Sequence, residues 1–378
     1  MKIEEMRKEI DSIDSGILDL FLRRMEISGE IAQYKKEHGL PILNSARERE
    51  VLAEAEEKSG DLGLYSYELF STIMSLSKAR QSELMSGPSE VRRKIEEALS
   101  HSEKTFPKTG TVACQGVEGS YSQTAAEKFI PRGKILHMST FDAVFRAVQS
   151  GLCDFGVVPI ENSSNGSVRT VYELLQKYRL TVVRSAKIWI HHCLLAKPGT
   201  DPDSITTIYS HEQAIGQCSE FIEKLGKVKV VPCENTAVAA ERVAGDGDPH
   251  SAAIASQKCA DLYGLRVIGD RIQNSENNYT RFVCIEKESK IYAGANRTCI
   301  IISCENKPGA LYSIMSKPAA LGINMVKLES CPVSGRNFEF LFFIELECSA
   351  EERGAVPMFE ELERECESFY FLGSYQEI

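Results

Sequence analysis

The chain has 378 residues, 43% hydrophobic and 26% charged, a globular composition too long for one ordinary core, so roughly two to four domains are expected. A net charge of -10 argues against a nucleic-acid partner, and any anionic substrate should be met by locally clustered Arg and Lys. The start, MKIEEMRKEIDSID, is charged, and no run of about 18 apolar residues follows, which excludes a signal peptide and a membrane span from the reading and leaves a cytoplasmic enzyme as the default. The 12 cysteines are scattered without a C-x-x-C pair and read as free, mostly buried thiols. A metal is not expected either. His191 and His192 are adjacent, so in a strand they would point to opposite faces and could not share an ion.

In chain order, residues 1–86 are Gly-poor and apolar at helical spacing. Met6, Ile10, Ile13, Ile17, Leu20, Phe21, Ile27, Ile31 and Tyr34 form a stripe ending near His38-Gly39-Leu40-Pro41. Further helices are expected from Ala46 to Lys58 and from Tyr65 to Leu84. Residues 87–108, with GPSE, a short charged helix and HSEKTFPKTG, read as a linker. From 109 to 287 short β-rich runs, such as FGVVPIEN and TVVRSAKIWIHHCLLA, alternate with helices such as SVRTVYELLQKY, an α/β pattern in two lobes. Residues 297–378 follow the order βαββαβ, with a turn at SGRN, which is a small α+β ferredoxin-like module.

In the first helix Arg24 and Lys35 lie about three turns and about 16 Å apart on one face, so their side chains can converge on a small anion. Arg7 lies about 25 Å from Arg24 and is rotated by about 100°, so it would have to join from a second subunit. Arg47 and Glu48 open the second helix, and Ser77 and Gln81 stand at i, i+4 on the third. Each residue alone could belong to a solvated charged face. Together MRKEIDSID, LRRMEISGEIAQYK, AREREVL and FSTIMSLSKARQ resemble the all-helical chorismate mutases. The resemblance implies Arg7 of a partner subunit, Arg24, Lys35 and Arg47 on the carboxylates and ether oxygen of chorismate, with Glu48, Ser77 and Gln81 completing the pocket. Asn44 stands where that family often has Asp. A Claisen rearrangement needs only a compact conformer and positive charge at the breaking ether bond, the place assigned to Lys35 and Gln81.

The α/β region holds GVEGSYSQTAA (116–126), VVPIENSSNGSV (157–168), YSHEQAIGQC (209–218), LYGL (262–265) and NYTRF (278–282). Taken alone, NNYTRF could be a capped turn entering a strand, and PIENSSNGS a simple helix cap after a strand ending at Glu161. The five in order resemble prephenate dehydratase. That family implies two α/β lobes, like the periplasmic binding proteins, with the site in the cleft between them. It assigns proton donation to the leaving hydroxyl of prephenate to Thr280, with Glu161, Asn162 and Gln217 as further site residues and Arg281 or Ser210 in support. No cofactor is implied. Glu212 replaces a proline usual in the family.

NKPGAL (306–311) and LESCP (328–332) resemble the ACT domain, with Cys331 in place of an arginine. Backbone N–H groups at Gly309, Ala310 and Leu311 could take a carboxylate, and Glu329 with Ser330 an ammonium group, so the resemblance implies phenylalanine as feedback inhibitor. The same module could instead serve only to pair subunits. The whole chain thus resembles the bifunctional chorismate mutase/prephenate dehydratases, expected as homodimers or larger homo-oligomers without nucleic acid or membrane. Two other readings stay open: a non-catalytic ligand-binding sensor, or a protein in which one activity has been lost and its domain kept for assembly.

Overall fold

The structure, a computed structural model, describes residues 3–41, 44–85, 89–102, 105–164, 166–332 and 340–378. The chain divides into two compact units, Met1–Arg93 and Lys94–Ile378.

The first unit is helical: α1 (Ile3–Glu37), α2 (Ser45–Lys58), α3 (Gly63–Met85) and the start of α4 (Glu90–Ser100). α3 packs on both α1 and α2. The apolar stripe expected along α1 is present, but only its C-terminal part is covered. Ser28 and Ala32 are the buried residues of α1, whereas Ile3, Ile10, Ile13, Ile17 and Leu20 are each more than half exposed. Asn44 caps α2, its side-chain oxygen accepting from the Arg47 N–H at 3.1 Å.

The second unit begins inside the segment expected to be a linker. Ile95 and Ala98 are fully buried, and the Ala98 carbonyl accepts from the Ile291 N–H at 3.3 Å. Phe106 packs its ring against Phe155 and Tyr292. The spacing Val91, Ile95, Ala98 marks an apolar face on a helix that composition alone presents as charged.

Strands β1 (Thr109–Gln115), β2 (Arg132–Met138), β3 (Phe155–Asn162), the two-residue β4 (Gly166–Ser167) and β5 (Thr181–Trp189) belong to the first lobe. β6 (Cys193–Ala196), β7 (Thr207–Ser210), β8 (Lys229–Pro232), β9 (Ser251–Ala255) and β10 (Arg266–Gly269) make the second, and β11 (Tyr279–Glu286) returns to the first. The sheet orders are β2-β1-β3-β11-β5 and β10-β6-β9-β7-β8. The expected single run TVVRSAKIWIHHCLLA is therefore two strands in two sheets. It breaks at Ile190–His192, so the histidine pair lies in a crossover and not in a strand. Both strands are largely buried, so the run reads as one apolar stretch across the break.

The remaining elements are β12 (Arg297–Ser303), a helix at Ala310–Ala320, β13 (Met325–Pro332), β14 (Phe340–Leu346), a helix at Ala355–Glu365 and β15 (Ser368–Glu377). They run antiparallel in the order β13-β14-β12-β15. β15 also pairs in parallel with β5, through Gln376↔Arg184 and Glu377↔Ser185, so this tail extends the sheet of the first lobe. The turn expected at SGRN lies outside the described residues.

Candidate functional site

In the first unit, helical spacing sets two rows face to face. Arg24, Ser28 and Lys35 come from α1, and Ser77 and Gln81 from α3. The Arg24 guanidinium donates to Ser77 Oγ and, at 3.4 Å, to the Ile73 carbonyl. Lys35 Nζ donates to Gln81 Oε1 at 3.0 Å, and Gln81 Nε2 to Ser28 Oγ at 3.1 Å. Ser77 and Gln81 are buried, and burial lowers the pKa of Arg24. Glu48 is tied to Lys78 Nζ at 3.1 Å. Arg47 is exposed and paired with Glu50, and Arg7 is exposed near the far end of α1, so neither joins the row within one chain. Ser28 is the member that sequence reasoning missed, although it stands four residues after Arg24 and seven before Lys35.

In the second unit a cavity of about 490 Å³ lies between the lobes, lined among others by Ser120, Tyr121, Pro159, Asn162, His192, Gln217, Asn235, Thr280 and Phe282. β11 brings Thr280 opposite Asn162 of β3. Asn162 Nδ2 shares its protons among Thr280 Oγ1 (2.9 Å), Asn278 Oδ1 (3.1 Å) and the Tyr279 carbonyl (3.2 Å). Asn162 Oδ1 accepts from the Ser164 N–H at 3.0 Å, which fixes the amide's orientation. Asn278 Nδ2 donates to Gln217 Oε1 (2.8 Å), and His192 Nε2 lies 2.9 Å from the same oxygen. An amide oxygen only accepts, so His192 carries its proton on Nε2. Burial lowers the His192 pKa, with the Gln217 hydrogen bond opposing, so the ring is neutral at pH 7. His192 and Asn278 were not expected. Asn278 could have been found from its place two residues before Thr280.

Glu161 and Arg281 do not line this cavity. The ladder shifts between Arg281 and Phe282, where Phe282 faces Pro159 and Arg281 faces Glu161, so Ile160 is an extra residue on β3. The bulge lets both Pro159 and Asn162 face the cleft. Glu161 and Arg281 point to the other face of the sheet, where Arg281 meets Glu161 (3.2 Å), Glu345 (2.6 Å) and Glu377 (3.5 Å). Ser210 is fully buried, its hydroxyl donating to the Ile254 carbonyl at 2.7 Å, and it is absent from the cavity lining too. The Lys/Arg cluster expected around an anion is also missing: among the described residues lining the cavity there is neither Lys nor Arg. Two helix starts border it instead, at Ser120 before Tyr121–Phe129 and at Asn235 before Thr236–Gly245. The strand expected to end at Glu161 runs to Asn162, and the helix after it begins only at Arg169. Glu212 occupies the first turn of a short helix capped by His211, a position that suits proline or an acidic residue.

In the tail, Gly309 has φ +80° and caps the helix Ala310–Ala320, a backbone shape that needs glycine. The Ala310 N–H already donates to the Lys307 carbonyl at 3.2 Å, and Leu311 follows in the first turn. Glu329 accepts from Ser167 Oγ of the first lobe at 2.7 Å, while Ser330, next on β13, is exposed.

All 12 cysteines are free, and none is exposed. His191 lies beside Cys193 and Asp270, their ligand atoms within 4.8 Å of one another, but Arg271 stands 3.9 Å from Asp270 and opposes a cation there. Among the described residues no helix is long and apolar enough to cross a membrane.

Residues 6–82 match the family model for chorismate mutase type II, and residues 112–290 that for prephenate dehydratase. The bifunctional chorismate mutase/prephenate dehydratase of Escherichia coli K12 is 31% identical over 98% of this chain and 95% of its own. The chain belongs to the bifunctional chorismate mutase/prephenate dehydratase family. Arogenate dehydratase/prephenate dehydratase 2 of Arabidopsis thaliana is 37% identical over 70% of this chain and 72% of its own. The solved prephenate dehydratase of Arthrobacter aurescens in complex with L-Phe is 27% identical, with a TM-score of 0.65, over 70% of this chain and 89% of its own. Within the family's two-site plan, the Arg24/Lys35 row falls in the chorismate mutase match. The Thr280/Asn162 cleft falls in the prephenate dehydratase match.

Proposed function

We propose that the chain rearranges chorismate to prephenate in its first unit and converts prephenate to phenylpyruvate in the cleft of its second, with phenylalanine as inhibitor acting on the tail. One observation carries this reading: the likeness to the E. coli bifunctional enzyme extends through both units and the tail. The residues supply the chemistry each step needs. In the first unit Lys35 and Gln81 stand together and present donors to the ether oxygen, while Arg24, held by Ser77, takes a carboxylate. The exposed apolar half of α1 supports a second copy covering it, which would bring that copy's Arg7 to the site. Arg47, Glu48 and Asn44 serve the same pocket from the start of α2.

In the cleft, prephenate loses its ring carboxylate as CO2, and the released bonding pair enters the ring as the C4 hydroxyl departs as water. Asn162 occupies the acceptor side of Thr280, which leaves the threonine proton free to donate to that hydroxyl. Gln217 and Asn278 hold Asn162 in place, and the helix starts at Ser120 and Asn235 accept the substrate's negative charge. We assign mutase, dehydratase and regulatory domains to 1–86, 109–287 and 297–378, the last an ACT domain. Gly309, Ala310, Leu311, Glu329 and Ser330 form its phenylalanine side. The exposed Tyr312, Val326 and Leu328 suit pairing of two tails in a homo-oligomer.

The test is one assay with chorismate in which its loss and the formation of phenylpyruvate are followed separately, with and without phenylalanine. Both activities and inhibition are expected. Chorismate loss without phenylpyruvate identifies a decayed dehydratase, and neither activity identifies a ligand-binding sensor.

A further inference from the structure

Thr280 and Arg281 are consecutive on β11, and Asn162 and Glu161 on β3, yet Thr280 and Asn162 face one side of the sheet and Arg281 and Glu161 the other. On the side away from the cleft, Arg281 has a side chain 9% exposed and Glu345 one 1% exposed. Glu345 Oε1 accepts from Arg281 Nη1 at 2.6 Å and from the Tyr375 hydroxyl at 2.8 Å. Lys327 of β13 holds Glu161 Oε2 from the tail side at 3.1 Å. The cleft residues and these ion pairs thus hang on the same two stretches of backbone, one from each strand. β11 keeps an unbroken ladder with β5 from Tyr279 to Cys284, but its ladder with β3 shifts beside Arg281 at the bulge, so the spacing between Thr280 and β3 is where the ion pairs can act.

We infer that Glu345, acting through Arg281, is a positioning residue for dehydration: the tail's buried carboxylate fixes where Thr280 and Asn162 stand in the cleft. Glu345 cannot leave Arg281 without stranding a buried carboxylate, although Arg281 would keep Glu161 and Glu377, so the pair ties β11 to the tail. Thr280 is the next residue along and inherits that position. The inference rests on the proposed dehydratase reading of the cleft.

The test uses the full chain with Glu345→Gln, which keeps the shape and removes the charge, measured in the wild-type and Thr280→Val backgrounds. A small misplacement of a catalytic group costs up to about 100-fold, so Glu345→Gln is expected to lower dehydratase kcat about 10-fold or more, with KM changed less than about three-fold. In the Thr280→Val background the same substitution should change the residual kcat by less than about two-fold, because the group it positions is gone. Mutase turnover should not change. A general loss of folded protein would instead lower both backgrounds by the same factor, and that result overturns the inference, as does a wild-type kcat in Glu345→Gln. If Glu345→Gln does not fold, Tyr375→Phe removes the second hydrogen bond to Glu345 Oε1 with little change of volume. A fall in kcat in Tyr375→Phe that vanishes in the Thr280→Val background supports the inference, and an unchanged kcat overturns it. Wild-type protein without prephenate turnover refutes the dehydratase reading itself, which keeps the two failures apart.

Discussion

Thr280 has one proton to give, and the side chain beside it decides where that proton can go. Asn162 donates to Oγ1 and Thr280 lines the cavity, so on the proposed reading its proton goes to the leaving hydroxyl. Thr280→Val keeps the β-branched shape and strand preference while removing the proton, so dehydratase kcat should fall about 100-fold or more with mutase turnover unchanged. Steady-state assays of both reactions on one preparation check this. His192 makes a second prediction. Burial lowers its pKa, so the unfolded chain binds the proton more readily than the folded one. The resulting stability is present above the ordinary histidine value of about 6.5 and is lost as pH falls below it. Thermal unfolding of the second unit should therefore shift downward between about pH 7 and pH 5, and His192→Asn should flatten that dependence. An equally steep pH dependence in the variant would remove His192 as its source.

At the scale of elements, helices and strands were legible because their apolar periods are clean, and the cleft residues Asn162, Gln217 and Thr280 were legible from their motifs. The faces were not all read. Adjacent strand residues point to opposite sides, a rule applied above to His191 and His192. Applied to Thr280–Arg281 it separates the two at once, whereas Glu161–Asn162 also needed the bulge at Ile160, which no local composition marks. Glu345 could not be read at all, since a lone glutamate in the apolar run FLFFIEL acquires its partner only when β14 and β11 come together. The junction of β15 with β5 depends on one glycine in the same way. Gly373 has φ +141°, and a Cβ there would stand 2.2 Å from the Val182 carbonyl oxygen. Gly373→Ala should destabilise the second unit by about 2–4 kcal/mol, read by denaturant titration. A change below about 0.5 kcal/mol would mean that β15 can move away from β5 freely.

For the whole molecule, the two compact units predict separable activities. A fragment of residues 1–93 should rearrange chorismate, and one of 94–378 should dehydrate prephenate, each measured on its own. A fragment starting at residue 105 loses Ile95 and Ala98, both fully buried, and should unfold at a lower temperature than the one starting at 94. Well-folded fragments without these activities would contradict the two-site plan. The mutase site carries a further prediction, because Arg7 and Arg24 stand on one helix with 16 residues between them. Two subunits, one Arg7→Ala and the other Arg24→Ala, should be inactive alone and regain activity when mixed, with one intact site per pair. Verified mixed dimers without recovery would show that each site is built from a single chain.

The strand β15, which closes the tail and touches the first lobe, is made from the last residues of the chain. It emerges from the ribosome only after every residue of the cleft. Until then Arg281 sits in a nearly finished lobe without the hydroxyl of Tyr375 to steady Glu345 and without the carboxylate of Glu377. The nascent dehydratase can collapse around its own core, but its cleft is not expected to settle before β15 has been made. A stop codon just before β15 should therefore spare the mutase and silence the dehydratase, although every residue of the cleft has already been made.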